Sequence, residues 1–233
     1  MTPSRDELFA AYALPDRSTP RVRMNFIESA DGAVTLGGQS GALGGETDRA
    51  VMAVLRTLCD VVVVGAGTVR IEGYGGIDVS DEDAAWRRSH GLPDQPRLAV
   101  VSNDLGLEPG DDVFAGGGTI VVTHEAAPAA KRHALEEVAE VVSCGSSAVD
   151  LSSMLEAFAE RGLAQVLCEG GPHLFGALLD AGLVDEVCVT IAPRFVGGDA
   201  GRIVAGASEA DRRFRLGGVL TDDEGFAFLR YVR

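Results

Sequence analysis

Four consecutive valines, Val61-Val-Val-Val64, run directly into Gly65-Ala-Gly-Thr68, and this stretch constrains the fold more than any other. A strand that is apolar at every position is buried on both faces. Sheets covered on both faces are typically parallel and flanked by helices. In such sheets ligands bind just past the carboxyl ends of the strands. Gly65 and Gly67 lack Cβ, so the backbone there can approach a ligand closely. Free N–H groups and the Thr68 hydroxyl suit a phosphate or pyrophosphate. The pattern is not the dinucleotide fingerprint Gly-x-Gly-x-x-Gly, and a plain strand-end turn reads equally well from these residues alone.

The rest of the chain supplies the alternation a parallel sheet needs. A short helix is expected over residues 5–13, ahead of Pro15, then a strand over Arg21–Glu28 that runs into the Asp31-Gly32 turn. Leu36–Gly45 carries five glycines in ten residues and reads either as a floppy surface loop or as a loop that closes over a ligand. Thr47 is expected to cap a helix over 48–58, which places Arg49 and Arg56 on one face. Residues 73–96, rich in Gly, Asp and Pro, read as a loop in which Trp86 is a local packing anchor. Strands are expected at Arg97–Ser102, Thr119–Thr123 and Glu140–Gly145, with a helix over 127–138. Asp150 caps a further helix that Gly162 ends.

The strand Gln165–Cys168 then enters Glu169-Gly-Gly-Pro-His173 and a helix over about 172–180, with Pro172 placed in the first turn. This second strand–glycine–helix junction is again an anion site by geometry, because free N–H groups and the helix dipole point at the loop. A strand over Val184–Pro193, a glycine-rich connection over 194–211 and a hairpin around Asp222–Gly225 complete the pattern. The expectation is one α/β domain over residues 1–233, mainly parallel, with an antiparallel C-terminal hairpin.

Composition excludes some functions. The chain has 35 acidic and 20 basic residues and a net charge of -15, which argues against nucleic acid and against anionic membrane surfaces. An anionic substrate therefore needs a local cation. The N-terminus carries acids and lacks a long apolar run, and no stretch of about 18 apolar residues occurs, so a cytoplasmic protein without a membrane span is expected. Cys59, Cys144, Cys168 and Cys188 form no Cys-x-x-Cys and read as buried, reduced thiols. His90, His124, His133 and His173 show no ligand spacing, so no metal is expected.

The ordered set Asn25-Phe-Ile-Glu-Ser-Ala-Asp-Gly32, Val64-Gly-Ala-Gly-Thr-Val69 with Glu72, Glu169-Gly-Gly171, Gly182-Leu-Val-Asp-Glu-Val187, Ile191-Ala-Pro193 and Gly197-Gly198 resembles the riboflavin-biosynthesis pyrimidine reductases. The resemblance covers about residues 21–232 and implies a fold similar to dihydrofolate reductase. The His-x-Glu and Pro-Cys-x-x-Cys motifs of the zinc deaminase carried by bifunctional members are absent, so the stand-alone reductase is the form resembled.

By that resemblance the activity is the NADPH-dependent reduction of the ribosyl group of a ribosylaminopyrimidinone 5′-phosphate to ribityl, by a homodimer. The resemblance puts Ala42, Gly65, Gly67, Thr68, Glu72, Ser102, Gly145, Gly170, Gly171, Pro172 and His173 at the cofactor. It puts Asn25, Ser40, Arg56 and Glu169 at the heterocyclic substrate, with Arg56 on a phosphate and Glu169 the candidate general acid. Strands near 184–192 and 226–232 are expected to offer apolar edges for pairing between subunits. Two positions depart from the family: Asn25 stands where many bacterial members have lysine, and a second phosphate-binding arginine would fall near Val79. A reductase of another heterocycle, such as dihydrofolate, and a non-catalytic NADPH-binding module are the alternatives.

Overall fold

The computed structural model describes residues 1–14 and 16–233; Pro15, the expected stop of the first helix, lies outside them. The elements in chain order are α1 (Arg5–Tyr12), β1 (Arg21–Ser29), α2 (Glu46–Leu58), β2 (Val61–Gly65), α3 (Ala66–Glu72), α4 (Asp81–Ser89), β3 (Arg97–Val101), β4 (Ile120–Thr123), α5 (Ala129–Glu136), β5 (Glu140–Ser143), α6 (Leu151–Glu160), β6 (Gln165–Cys168), α7 (Pro172–Asp180), β7 (Glu186–Ala192), β8 (Arg215–Thr221) and β9 (Ala227–Val232). A short 3-10 turn lies at Asp112–Phe114.

The strands of the described residues join one nine-stranded sheet in the order β5-β4-β3-β2-β6-β1-β7-β9-β8. The run from β5 to β7 is parallel, and β9 adds antiparallel to β7 and to β8. The architecture is therefore α/β with an antiparallel C-terminal hairpin.

The valine strand shows why the sheet needs two helical layers. Successive strand side chains point to opposite faces. Val62 and Val64 join one core with α1, α2, α3 and α5, while Val61 and Val63 join a second core with α6 and α7. At about 25 cal/mol per Å² of apolar surface, such double burial is the main stabilising term of the central strands. The sheet order also carries the functional geometry. Chain order runs outward from β2 to β5, then returns to insert β6 between β2 and β1. The carboxyl ends of β1, β2 and β6 therefore lie side by side at a reversal of strand order, where open α/β sheets place ligands.

Three expectations need correction. Residues 73–96 are not all loop, because α4 occupies Asp81–Ser89, capped by the Ser80 hydroxyl accepting from Asp83 N. The helix has little apolar face, and it buries two charged residues, Asp83 and Arg87, beside Ala84. Arg87 is 0 % exposed and donates to the carbonyls of Thr57 (2.9 Å), Cys59 (2.6 Å) and Pro93 (2.7 Å). It thereby takes up carbonyls at the C-terminal end of α2 that a helix leaves unpartnered. Thr47 does not cap α2: the cap position is Gly45, without a side-chain hydrogen bond, and Thr47 lies buried inside the first turn. The strands near 184–192 and 226–232 offer no free edge, since β7 lies between β1 and β9, and β9 between β7 and β8; the free edges are β8 and β5. All four cysteines are buried and free, and burial pushes the thiols of Cys59, Cys168 and Cys188 up to about 12.

Candidate active site

Both glycine junctions lie at the carboxyl end of the sheet, and they touch. β2 and β6 are neighbours, and Gly65 N donates to Gly170 O at 2.8 Å. The Gly65–Thr68 stretch is the start of a helix rather than a plain turn, because α3 begins at Ala66 with Gly65 as its cap. Gly171 caps α7, whose first turn holds Pro172 as expected. Neither cap supplies a side-chain acceptor, nor does Gly45 at α2. By contrast α1, α4 and α6 are capped by Ser4, Ser80 and Asp150. At α2, α3 and α7 the first N–H groups are thus left for an outside acceptor, whereas α6, which starts at the same end of the sheet, is closed by Asp150.

Glycine is required here by space. A Cβ on Gly171 would lie 2.7 Å from Thr68 Oγ1, and one on Gly145 would meet Ala148 O at 2.3 Å with φ already at +93°. The Thr68 hydroxyl therefore faces the Gly170–Gly171 backbone.

The residues expected at a dinucleotide form a row along this edge, from Gly145 after β5 through Ser102 after β3 and Gly65–Thr68 after β2 to Gly170–His173 after β6. At about 4.8 Å per strand the row spans roughly 19 Å, a length suited to an extended ligand. Some of its members already have partners. Ser102 is buried, and its hydroxyl donates to Asp104 Oδ1 at 3.0 Å. Glu72 Oε1 accepts from Ser40 N at 3.0 Å and ties the glycine-rich loop to the end of α3. Ala42 O accepts from Arg194 Nη1 at 2.9 Å, so the same loop is also held from the connection after β7.

The residues expected at the substrate lie at the β1 and β6 end of this row, apart from Ser40 in the glycine-rich loop. Asn25 is on β1, beside Cys188 of β7 in register, and Glu169 directly follows β6, its backbone N–H bonded to Val63 O at 3.0 Å. Arg56 reaches across from the last turn of α2. Its Nε donates to Glu169 Oε1 at 2.8 Å and its Nη2 to Glu169 Oε2 at 2.6 Å, a two-pronged ion pair with side chains 18 % and 5 % exposed. Burial works against the Arg56 charge, but the Glu169 hydrogen bonds and charge outweigh it and hold the guanidinium above its ordinary range. Two residues read separately from the sequence are thus each other's partner. Arg56 is not the uncompensated cation that the acidic chain led us to expect. The position of the absent second arginine, Val79, is buried, with its N–H on Gln95 Oε1 at 2.7 Å.

Two groups escaped the sequence reading. Tyr74 accepts from Arg56 Nη2 at 2.9 Å and donates to Glu169 Oε2. Gly73 at φ +66° makes the left-handed turn that brings Tyr74 back over the site. A tyrosine in a glycine-rich stretch carries no signal of this. Asp48, in the first turn of α2, is held above the usual carboxylate range by burial, which the Thr190 hydroxyl partly opposes. The Ser29-Ala-Asp-Gly32 turn did carry a signal. Asp31 accepts from Ser29 Oγ, from Val196 N (3.1 Å) and from Gly197 N (2.8 Å), bonds that bring its carboxyl down to about 2. It locks the end of β1 to the connection after β7, beside a cleft of about 500 Å³ lined by Glu28, Gly32, Gly198 and Arg202.

The model of the RibD C-terminal domain family matches residues 20–228. The chain is 34% identical over 190 residues to the 2,5-diamino-6-ribosylamino-4(3H)-pyrimidinone 5′-phosphate reductase of Methanothermobacter thermautotrophicus, covering 80% of this chain and 84% of that one. It is 28% identical over 210 residues to the protein of the same name from Archaeoglobus fulgidus, covering 89% and 96%. Among solved structures it is similar to a pyrimidine reductase-like protein from Corynebacterium diphtheriae, with a TM-score of 0.83, 26% identity and 97% of each chain covered.

Proposed function

The chain belongs to the RibD C-terminal domain family, and from that premise we propose that it is a pyrimidine reductase of riboflavin biosynthesis: residues 1–233 act as one reductase domain that converts the ribosyl group of 2,5-diamino-6-ribosylamino-4(3H)-pyrimidinone 5′-phosphate to ribityl. The observation that carries the reading is the meeting of two uncapped glycine–helix junctions at neighbouring strand ends, with the polar cluster at Glu169 on the same β6 end as the second junction.

The cofactor we assign is NADPH. Its phosphates suit the N–H groups that the first turns of α3 and α7 leave without an intrahelical partner, and the open space beside Gly67, where a Cβ would meet nothing within 4 Å, supports the fit. Bound there, NADPH supplies the hydride. The chain's own residues hold and orient the substrate: Asn25 and Glu169 meet its polar atoms, while Arg56 sets the Glu169 carboxylate and keeps Nη1 for an acceptor. Both Glu169 oxygens already accept, from Arg56 and from Tyr74, so in this reading Glu169 serves as an acceptor rather than as the general acid.

The reading also places the protein in the cytoplasm as a homodimer. Support for pairing comes from the half-exposed Leu216 and Val219 on the free β8 edge, and from an apolar cleft between α7 and the β7–β9 face at Phe175, Leu179, Leu229 and Tyr231. Among the described residues no helix is long and apolar enough to cross a membrane.

The test is steady-state NADPH oxidation with the pyrimidinone ribotide, with NADH and dihydrofolate as comparisons. Turnover of the ribotide with preference for NADPH is expected. Turnover of dihydrofolate alone would replace the substrate; NADPH binding without turnover of either would leave a binding module. Buried Val79 and the neutralised Arg56 are the observations that favour a substrate without phosphate. Light scattering of a monomer across micromolar concentrations would remove the homodimer.

A further inference from the structure

Tyr74 belongs to none of the motifs that carry the family resemblance, yet its hydroxyl joins three separate elements. It sits two residues past α3, accepts from Arg56 of α2 at 2.9 Å and donates to Glu169 at the end of β6. Its ring lies 5.8 Å from the Arg56 guanidinium carbon. Phenylalanine would fill the same half-buried space, so packing does not account for the hydroxyl.

The hydrogen-bond capacities define what the hydroxyl does. An ionised carboxylate offers about four lone-pair sites. In Glu169, Oε1 accepts from Arg56 Nε, and Oε2 accepts from both Arg56 Nη2 and Tyr74. Oε2 is full, and the one acceptor position left to Glu169 is on Oε1. Without the Tyr74 hydroxyl, Oε2 would regain a free lone pair and Arg56 Nη2 would lose an acceptor. The carboxylate would then present two alternative acceptors to a ligand instead of one.

We propose that Tyr74 is a positioning residue of this site: its hydroxyl saturates Glu169 Oε2 and Arg56 Nη2, so that Glu169 meets the substrate through a single acceptor on Oε1 that takes one O–H or N–H donor. The proposal rests on the functional reading above, since it needs a substrate with such a donor beside the cofactor site. The role is exerted through Glu169, and that makes it separable from packing.

The experiment is a double-mutant cycle on the purified full chain, with Tyr74→Phe and Glu169→Gln alone and combined, assayed for kcat and KM on the pyrimidinone ribotide. NADPH affinity and Tm are measured on each variant. Tyr74→Phe is expected to raise KM about five- to twenty-fold, with a smaller change in kcat and with Tm and NADPH affinity near wild type. In the Glu169→Gln background the same change is expected to cost less than about twofold, because the acceptor it orders is gone. Equal losses in both backgrounds, or no loss in either, would overturn the assignment. A wild-type chain inactive on the ribotide would instead overturn the functional reading beneath it, so the two failures are distinguishable.

Discussion

Two arginine–glutamate clusters lie on the same face of the sheet, and they are built in opposite ways. At the amino end, Glu186 of β7 is 1% exposed and sits between Arg23 of β1 and Arg230 of β9. Arg23 Nε is 2.6 Å and Arg230 Nε 2.9 Å from Glu186 Oε1, but neither of these N–H groups is aimed at the oxygen, so these contacts are charge contacts. The directed bonds run from Arg230 Nη2 to Glu186 Oε2 (3.0 Å) and from the two arginines to the carbonyls of Tyr12 (3.0 Å) and Ala11 (3.1 Å) at the end of α1. At the carboxyl end, Glu169 holds one arginine by two aimed bonds, and Arg56 keeps Nη1 without a partner among the described residues. The first cluster spends its charges on joining α1 to three strands. The second is closed on one side and open on the other. The same residue types hold the fold together where the parallel strands begin and leave a donor open where they end.

The sharpest break of this comparison is Glu186→Gln. It leaves two guanidinium groups without their carboxylate, which costs about 3–5 kcal/mol. For a chain of this size that is a fall of roughly 10 °C in Tm. The protein that remains folded should keep its substrate and NADPH constants. A calorimetric Tm within about 2 °C of wild type would mean that Glu186 is not a structural anchor.

Glu169→Gln should do the reverse: kcat/KM on the ribotide down by about two decades, with a smaller loss of stability than Glu186→Gln because Arg56 still reaches water. Kinetics and urea unfolding on the same preparation read both. A larger loss of stability than of activity would erase the contrast between the two ends.

Acid separates the clusters next. Burial would raise the Glu186 carboxyl, but the charges of Arg23 and Arg230 outweigh it and hold it below its ordinary value. A carboxylate depressed in the folded state contributes stability fully above the unfolded value of about 4.3. That contribution is lost as pH falls through the folded value. Asp31, brought down to about 2, adds to the loss lower in the same window. Urea midpoints between pH 7 and 3 should fall for wild type, and less steeply for Glu186→Gln. Parallel curves for the two proteins would exclude Glu186 as a source of the acid sensitivity.

The smallest expected effect is that of Arg56→Lys. It keeps the charge and loses the two-pronged geometry, so kcat/KM should drop about tenfold with Tm nearly constant. An unchanged kcat/KM would show that the charge alone suffices there.

Much of the fold was legible in the chain. The valine run, the alternation of strands and helices, Asp150 and Gly162 as helix limits and the terminal hairpin follow from local pattern, and local pattern is a short-range property of side chains. The helix α4 was not legible, because Gly, Asp and Pro flank it and its buried anchor is an arginine. A charged residue on a helix without an apolar stripe looks solvated until the carbonyls of Thr57 and Cys59 come to it. The two glycine junctions were legible as separate loops. Their contact through Gly65 N and Gly170 O was not, since 105 residues of chain separate them.

By itself the sequence determined which segments become strands and, apart from α4, which become helices, where backbone without Cβ stands at a strand end, and which polar residues lie beside it. Periodicity, glycine and capping residues act within a few positions along the chain, so one-dimensional information suffices for them. The tertiary structure decided partnership: that Glu169 takes Arg56 and Tyr74 while Glu186 takes Arg23 and Arg230, and that one pair is open and the other sealed. Charge pairing depends on the distance and burial produced when β6 inserts between β2 and β1, and that insertion is a property of the assembled sheet.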